Sequence, residues 1–445
     1  MNFSFVFPPT DEFQLENGLS VICIPDHEQP GLVLALQLPV GRFADPPGKE
    51  GLCELTAALL AKGTATFSPE EFSERIENAG ASFFSDIGEE HCVLGLRMLA
   101  GSAAGLFPLL VEMVRKPLLA KDEFLRLRRE MATALRADAN DPSLLAARHF
   151  YAELAGPAHP AGRFQTLSSL KSITLQDVER FFNEHFSPRG SLCIVAGEGD
   201  GERLRTMCAE QLSFWQQPRR KAPVIAAKAM RVARPVIRLI NKPDLTQSTL
   251  AVGHGAPGER CADKNALSLA NHIFGSGNFS SRLMTRIRSV GGKTYGVSSQ
   301  LVAETEFGAF LISTATQNNR TQEVLGTILE EHRRFCAEGV TAEELAKAKR
   351  FAIGNMAFQL EGIGNIVDKL LWLRFYGRQN SYIERFEAML SAIDVDTVNA
   401  AVRHYFAEES CIIAVVGKKS EIEPQLRSFG PVRHFHFRDR VGNKS

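Results

Sequence analysis

The sequence predicts an α+β protein built as two homologous tandem halves. Each half is sandwich-like, an antiparallel-rich sheet packed with helices, and three observations lead there. The first is an internal repeat: ITLQDVERFFNEHFSPRGSLCIVAG (173–197) aligns without a gap on IDVDTVNAAVRHYFAEESCIIAVVG (393–417), an offset of 220 residues. Ile173/Ile393, Val178/Val398, Phe186/Phe406, Val195/Val415 and Gly197/Gly417 coincide, and the same offset pairs Leu125 with Leu345. Nearer the start of each half the offset is 211, which lays Arg75-Ile76 on Arg286-Ile287, Gly80 on Gly291 and Phe84 on Tyr295. Such self-similarity marks a duplicated unit. The second observation is that strand-like and helical runs follow one another without regular βαβ alternation. The third is length: 445 residues exceed what one hydrophobic core holds.

In chain order, Leu19–Ile24 and Leu32–Leu38 read as strands. Gly51–Thr64, GLCELTAALLAKGT, has helical spacing of its leucines and a stop at Gly63. Ser68-Pro69-Glu70-Glu71 is an N-cap followed by proline at the first helical position, opening a helix that runs to Asn78. Strands follow at Ser82–Ser85 and Cys92–Met98, then helices over 103–115 and 121–138 and another from Pro142. Thr174–Phe186 is an amphipathic helix, Ser191–Ala196 a buried strand, and Glu202–Trp215 a closing helix. The segment 217–235 is part of a run with six basic residues, no acidic one and three prolines. It reads as a solvated linker between an N-terminal half, 1–216, and a C-terminal half, 236–445.

Lys+Arg and Asp+Glu are equal at 51 each, so no net field favours nucleic acid or an anionic membrane, and no run is long enough to span a bilayer. The N-terminal apolar stretch has no preceding basic residue and stops at Pro8-Pro9. The eight cysteines contain no C-x-x-C, and Cys23, Cys193 and Cys411 lie in strand-like runs, as buried free thiols do. Both features lead us to expect a cytoplasmic protein, a periplasmic site staying open if a signal was removed.

The stretch 51–64 resembles the zinc helix of the pitrilysin/insulinase-like (inverzincin) metallopeptidases, in which Gly-Leu precedes H-x-x-E-H and Lys-Gly-Thr follows it. Two imidazoles one helical turn apart reach one Zn²⁺ there, and the Glu serves as general base. Laid on that motif, this chain has Glu54, Ala57 and Ala58 where the first His, the base and the second His belong. The family's third ligand falls at Ala134, just before the Asn140-Asp141-Pro142 turn. The resemblance thus implies a helix that keeps the frame and lacks the chemistry; an ordinary buried helix is the alternative. No other segment completes the motif, since Ile87, Phe181 and Ile328 stand four residues before His91, His185 and His332. His434 and His436 alternate as on one strand face and read as structural or solvated.

The second half differs. NFSSRLMTRIRSVGGKTYGVSSQL (278–301) resembles the family's C-terminal signature, Ser-Ser-Arg-Leu followed by an Arg and a Tyr seven residues later, here Arg288 and Tyr295. The resemblance implies that this pair reaches a substrate carbonyl at zinc, where a phenol and a guanidinium stabilise the developing oxyanion. The counterparts of the pair in the first half are Glu77 and Phe84. Arg282 is expected to support the fold, and Gly275-Ser276-Gly277 to form a turn. Ser82, Phe83 and Phe84 correspond to the family's edge strand, on which substrate peptide adds as a further strand.

These readings lead us to expect the zinc-free subunit of a two-chain metallopeptidase, related to the bacterial and mitochondrial processing branch and inactive alone. It would bind no cofactor itself, pair with a homologous H-x-x-E-H subunit that carries the zinc, and act on peptides; self-association is left open. The alternative is a catalytically silent scaffold like the core subunits of the cytochrome bc₁ complex, and a weaker one is a self-sufficient peptidase with a shifted metal site.

Overall fold

Two six-stranded sheets carry the chain. The computed structural model describes residues 5–216, 235–289, 294–406 and 411–438. The linker expected at 217–235 therefore lies outside them apart from Pro235. In the first sheet, β1 (Asp11–Gln14), β2 (Ser20–Pro25), β3 (Gly31–Leu38), β4 (Ser82–Ile87), β5 (Cys92–Leu99) and β6 (Leu192–Gly197) are ordered β1-β2-β6-β3-β5-β4. In the second, β7 (Val236–Asn241), β8 (Gln247–Ala256), β9 (Thr294–Ala303), β10 (Gly308–Gln317), β11 (Ile412–Gly417) and β12 (Val432–His436) are ordered β12-β7-β11-β8-β10-β9.

The duplication is visible strand by strand. β2 and β6 are parallel, as are β7 and β11, and each pair continues into an antiparallel run, β6-β3-β5-β4 and β11-β8-β10-β9. The other edge differs: β1 is antiparallel to β2, whereas β12, from the end of the chain, is parallel to β7. The α+β reading is borne out, with sheets that are mixed.

The chain divides into two compact units. Unit 1 comprises 1–134, 165–224 and 356–384; unit 2 comprises 135–164, 225–355 and 385–445. Each unit thus takes in a helix from the opposite half of the sequence. In unit 2, Asp141 caps the helix Pro142–Ala155 by accepting from the Ser143 and Leu144 amides. Leu145, Ala146, Phe150 and Leu154 of that helix pack on Ile240, Ala251, Ile412 and Ala414 of the second sheet. Each such large apolar side chain taken from water contributes about 1.5–3 kcal/mol. In unit 1, the helix Gly362–Phe375 lies on β6 and β3, and its Val367, Leu370, Leu371 and Leu373 are buried.

Helix starts follow the chemistry expected of them. Ser68 and Glu71 form a reciprocal capping box at Pro69–Asn78, as Thr174 and Asp177 do at Leu175–His185. Six of the eight cysteines are buried. Among the described residues, no helix is long and apolar enough to cross a membrane.

Candidate functional site

The helix Leu52–Leu60 in unit 1 owes its ends to the motif frame. Gly51 adopts φ +102°, and a side chain there would collide with Gln165. The missing cap comes from buried Asp45, whose carboxylate accepts from the Gly51 and Cys53 amides at 2.7 Å each. Gly63, at φ +93°, ends the helix, and Thr64 accepts from the Thr66 and Phe67 amides while donating to Glu112. Gly-Leu and Lys-Gly-Thr are thus explained by the start and stop of a buried helix.

What lies between holds little metal chemistry. Ala57 is buried at 2% exposure, Ala58 is half-buried, and Ala134 lies exposed on the helix Lys121–Asp138. Three methyl groups cannot ligate a metal, so these positions do not fit the zinc that the motif implies. Glu54 is half-buried and adds its field to that of Glu90 at Glu89. Burial raises the Glu89 pKa, opposed by Arg42, which donates to it at 3.1 Å. Among the described residues, no group of three or more His, Cys, Asp or Glu side chains is placed to hold a metal ion.

Of the other histidines singled out in the sequence, His332 is packed in a core and His434 stands beside a carboxylate. His332 lies in the core of unit 2 among Phe274, Phe310 and Phe406, 5.4 Å from His254 between ring centroids. Burial pushes the pKa of His332 down to about 3 and that of His254 to about 4. His434 sits on β12 beside Glu423, at 3.6 Å.

In unit 2, the Ser-Ser-Arg-Leu signature opens the helix Arg282–Ser289. Leu283 and Ile287 bury its inner face. Arg282 clamps Glu344 through Nε and Nη2 at 2.6 and 2.7 Å, donates to the Gly339 carbonyl and lies over the Phe335 ring. Burial works to raise the Glu344 pKa, yet the Arg282 and Thr341 hydrogen bonds hold it down at about 2. Just upstream, His272–Ser276 winds as a π-helical turn, so the turn expected at Gly275-Ser276-Gly277 takes this form. A Cβ at Gly275 would lie 2.3 Å from Ser299 Oγ, so only glycine lets this turn seat against β9.

Arg288 falls on that helix and Tyr295 on β9, but their side chains lie outside the described residues, as do 290–293. The backbone at Tyr295 is informative. Thr294 pairs with Thr316 and Val297 with Thr314, so Tyr295 and Gly296 together stand opposite Ala315 alone. That is a β-bulge, a feature found beside active sites, where it changes the local strand register. The sequence pattern gave no sign of it.

β4, the counterpart of β9, pairs without irregularity, Ser82 with Arg97, Phe83 with Leu96 and Phe84 with Gly95. It ends the sheet order, so its outer ladder positions have no strand partner among the described residues. The Phe84 ring sits beneath the Arg97 guanidinium at 4.6 Å and fills the space a Gly95 side chain would need.

Comparison with known proteins agrees with this architecture. The family model described as Insulinase (Peptidase family M16) matches residues 20–154, and that described as Peptidase M16 inactive domain matches residues 172–351. A Rickettsia bellii (strain RML369-C) protein named Uncharacterized zinc protease is 24% identical over 417 residues, covering 91% of this chain and 96% of its own. The Mus musculus Mitochondrial-processing peptidase subunit beta is 23% identical over 434 residues, 92% of this chain and 85% of its own. In fold, the crystal structure of a peptidase M16 inactive domain from Pseudomonas fluorescens is similar at TM-score 0.85 and 23% identity, covering 92% of this chain and 98% of that one.

Proposed function

We propose, from the premise that this chain belongs to peptidase family M16, that it is the zinc-free subunit of a two-chain peptide hydrolase. Its partner is a homologous chain bearing H-x-x-E-H, which supplies the metal and the general base. This chain supplies Arg288 and Tyr295, which steady the oxygen that becomes negatively charged when water attacks the scissile carbonyl. The observation that carries the reading is an asymmetry: Glu54, Ala57, Ala58 and Ala134 occupy the ligand and base positions, while the Arg288/Tyr295 signature is intact. The Arg282–Glu344 clamp at the start of the helix that carries Arg288 and the bulge at Tyr295–Gly296 support it, because they anchor the two elements to which the pair is attached.

Ser82, Phe83 and Phe84 belong in this proposal as an edge on which peptide adds through main-chain hydrogen bonds. The halves 1–216 and 236–445, joined by 217–235, are the units of duplication within it. Mixing the purified chain with its H-x-x-E-H partner and following cleavage of short peptides tests the reading. Arg288→Ala and Tyr295→Phe should each lower turnover about 10²–10³-fold, as loss of one oxyanion donor does. Unchanged turnover in both variants would leave this chain a scaffold.

A further inference from the structure

Unit 1 contains a groove on its sheet, and the pseudo-symmetry of the two sheets lets its lining be compared with the equivalent positions of unit 2. On one face of the first sheet, Gln14 pairs with Ser20, Ser20 with Leu192, and Leu192 with Gln37, giving a cross-strand row with three polar members. The equivalent row of the second sheet is Val236, Ile412 and Gly253. There Ile412 belongs to the apolar cluster formed with the helix Pro142–Ala155. In unit 1, Arg374 and Phe375, at the end of the helix Gly362–Phe375, join that row in lining a groove of about 510 Å³. That volume suits a small ligand or one to two peptide residues.

Among the described side chains lining the groove, Gln37 is the one with an unmet hydrogen-bonding atom. Gln37 is 4% exposed, lines the groove, and its amide nitrogen is buried without a partner. A buried orphan donor of this kind costs about 1–3 kcal/mol. The charges beside it are already matched, since Arg374 donates to Glu12 at 2.6 Å, to Asn380 at 2.8 Å and to the Arg378 carbonyl at 3.1 Å. An anionic ligand would meet Glu12 and find no free cation in Arg374. An amide is the complement of an amide: it returns one donor and one acceptor, whichever way the Gln37 carboxamide is turned. Phe13, Ile22, Pro39 and Phe375 supply the apolar walls.

We propose that this groove binds the uncharged amide group of an apolar amino-acid residue, as found in a peptide, with Gln37 as its hydrogen-bonding partner. The site does not depend on the division of labour proposed above, and its test needs no peptidase partner.

Isothermal titration of the full chain with N-acetyl-phenylalaninamide, N-acetyl-phenylalanine and a blocked Ala-Phe-Ala-Ala tetrapeptide is the experiment. Saturable binding of the amide is expected, with the carboxylate about tenfold weaker or worse. A tetrapeptide that binds more tightly than the single amide identifies the ligand as peptide; equal affinity identifies a free amide of the same chemistry. Gln37→Leu should weaken binding at least about tenfold with an unchanged or raised melting temperature. Ser20→Phe, which fills the groove from its rim, should block binding as well. Equal binding of amide and carboxylate, no saturation, or binding untouched by both variants would overturn the site.

Discussion

β4 and β9 occupy the same place in the two sheets, yet the backbone of one is regular and that of the other is not. On β4, Phe84 lies flat against a glycine and under an arginine, a packing role a hydrocarbon ring fills well. On β9, the equivalent Tyr295 sits in a bulge that forfeits ladder hydrogen bonding. Duplication supplied two copies of one edge. One copy pairs regularly along its length, and the other carries an extra residue opposite Ala315.

The largest expected effect sharpens this contrast directly. Tyr295→Phe should cost about 10²–10³ in turnover of the assembled enzyme, whereas Phe84→Tyr on the regular strand should leave turnover within about twofold; steady-state kinetics with the partner chain distinguishes them.

Acid should separate the units next. Among the described residues, the four buried histidines, His149, His159, His254 and His332, belong to unit 2. His149 and His332 are held neutral with pKa values of about 3, and His254 at about 4, because burial disfavours the imidazolium. A depressed folded-state pKa means that the stability is present above the unfolded value near 6.5 and is lost as pH falls toward the folded value. The His254/His332 pair should therefore take about 1.4 kcal/mol per histidine per pH unit from unit 2 below about pH 6.5. Hydrogen exchange at pH 7 and pH 5.5 should show protection falling in unit 2 before unit 1, and equal loss in both would break the assignment.

Smaller effects follow from packing. Arg282→Ala strands the partly buried Glu344 carboxylate and should lower stability by about 2 kcal/mol in urea unfolding, less than for a fully buried pair because both groups keep some solvent. Gly95→Ala would place a Cβ 2.2 Å from Phe84 Cζ and 2.5 Å from the Leu34 carbonyl oxygen, costing about 1–3 kcal/mol. Gly296→Ala, whose nearest neighbour is Met284 Cε at 3.9 Å, should cost less than about 0.5 kcal/mol.

Much of the fold was legible because local chemistry agrees with global structure. The Ser68-Pro69 start and the helices at 103–115 and 121–138 are where periodicity and caps put them, and the strand expected at Ser191–Ala196 lies one residue on, at Leu192–Gly197. Periodicity says that a helix has an apolar face, not which sheet receives it. The exchange of 142–155 and 362–375 between units was therefore invisible, although the two helices share the 220 offset. The short β1, DEFQ, has no alternation strong enough to mark a strand. Gln37 was passed over as one polar residue in an apolar run, and that interruption of GLVLALQL was the available signal. The erased metal positions were readable because alanine is unambiguous; the bulge at Tyr295 was not, since register arises only from pairing.

One measurement bears most directly on the division of labour: peptide hydrolysis and zinc content of the purified chain alone, with and without chelator. No turnover and no stoichiometric zinc are expected until the H-x-x-E-H chain is added. Chelator-sensitive cleavage by this chain on its own, with one tightly held zinc, would contradict it.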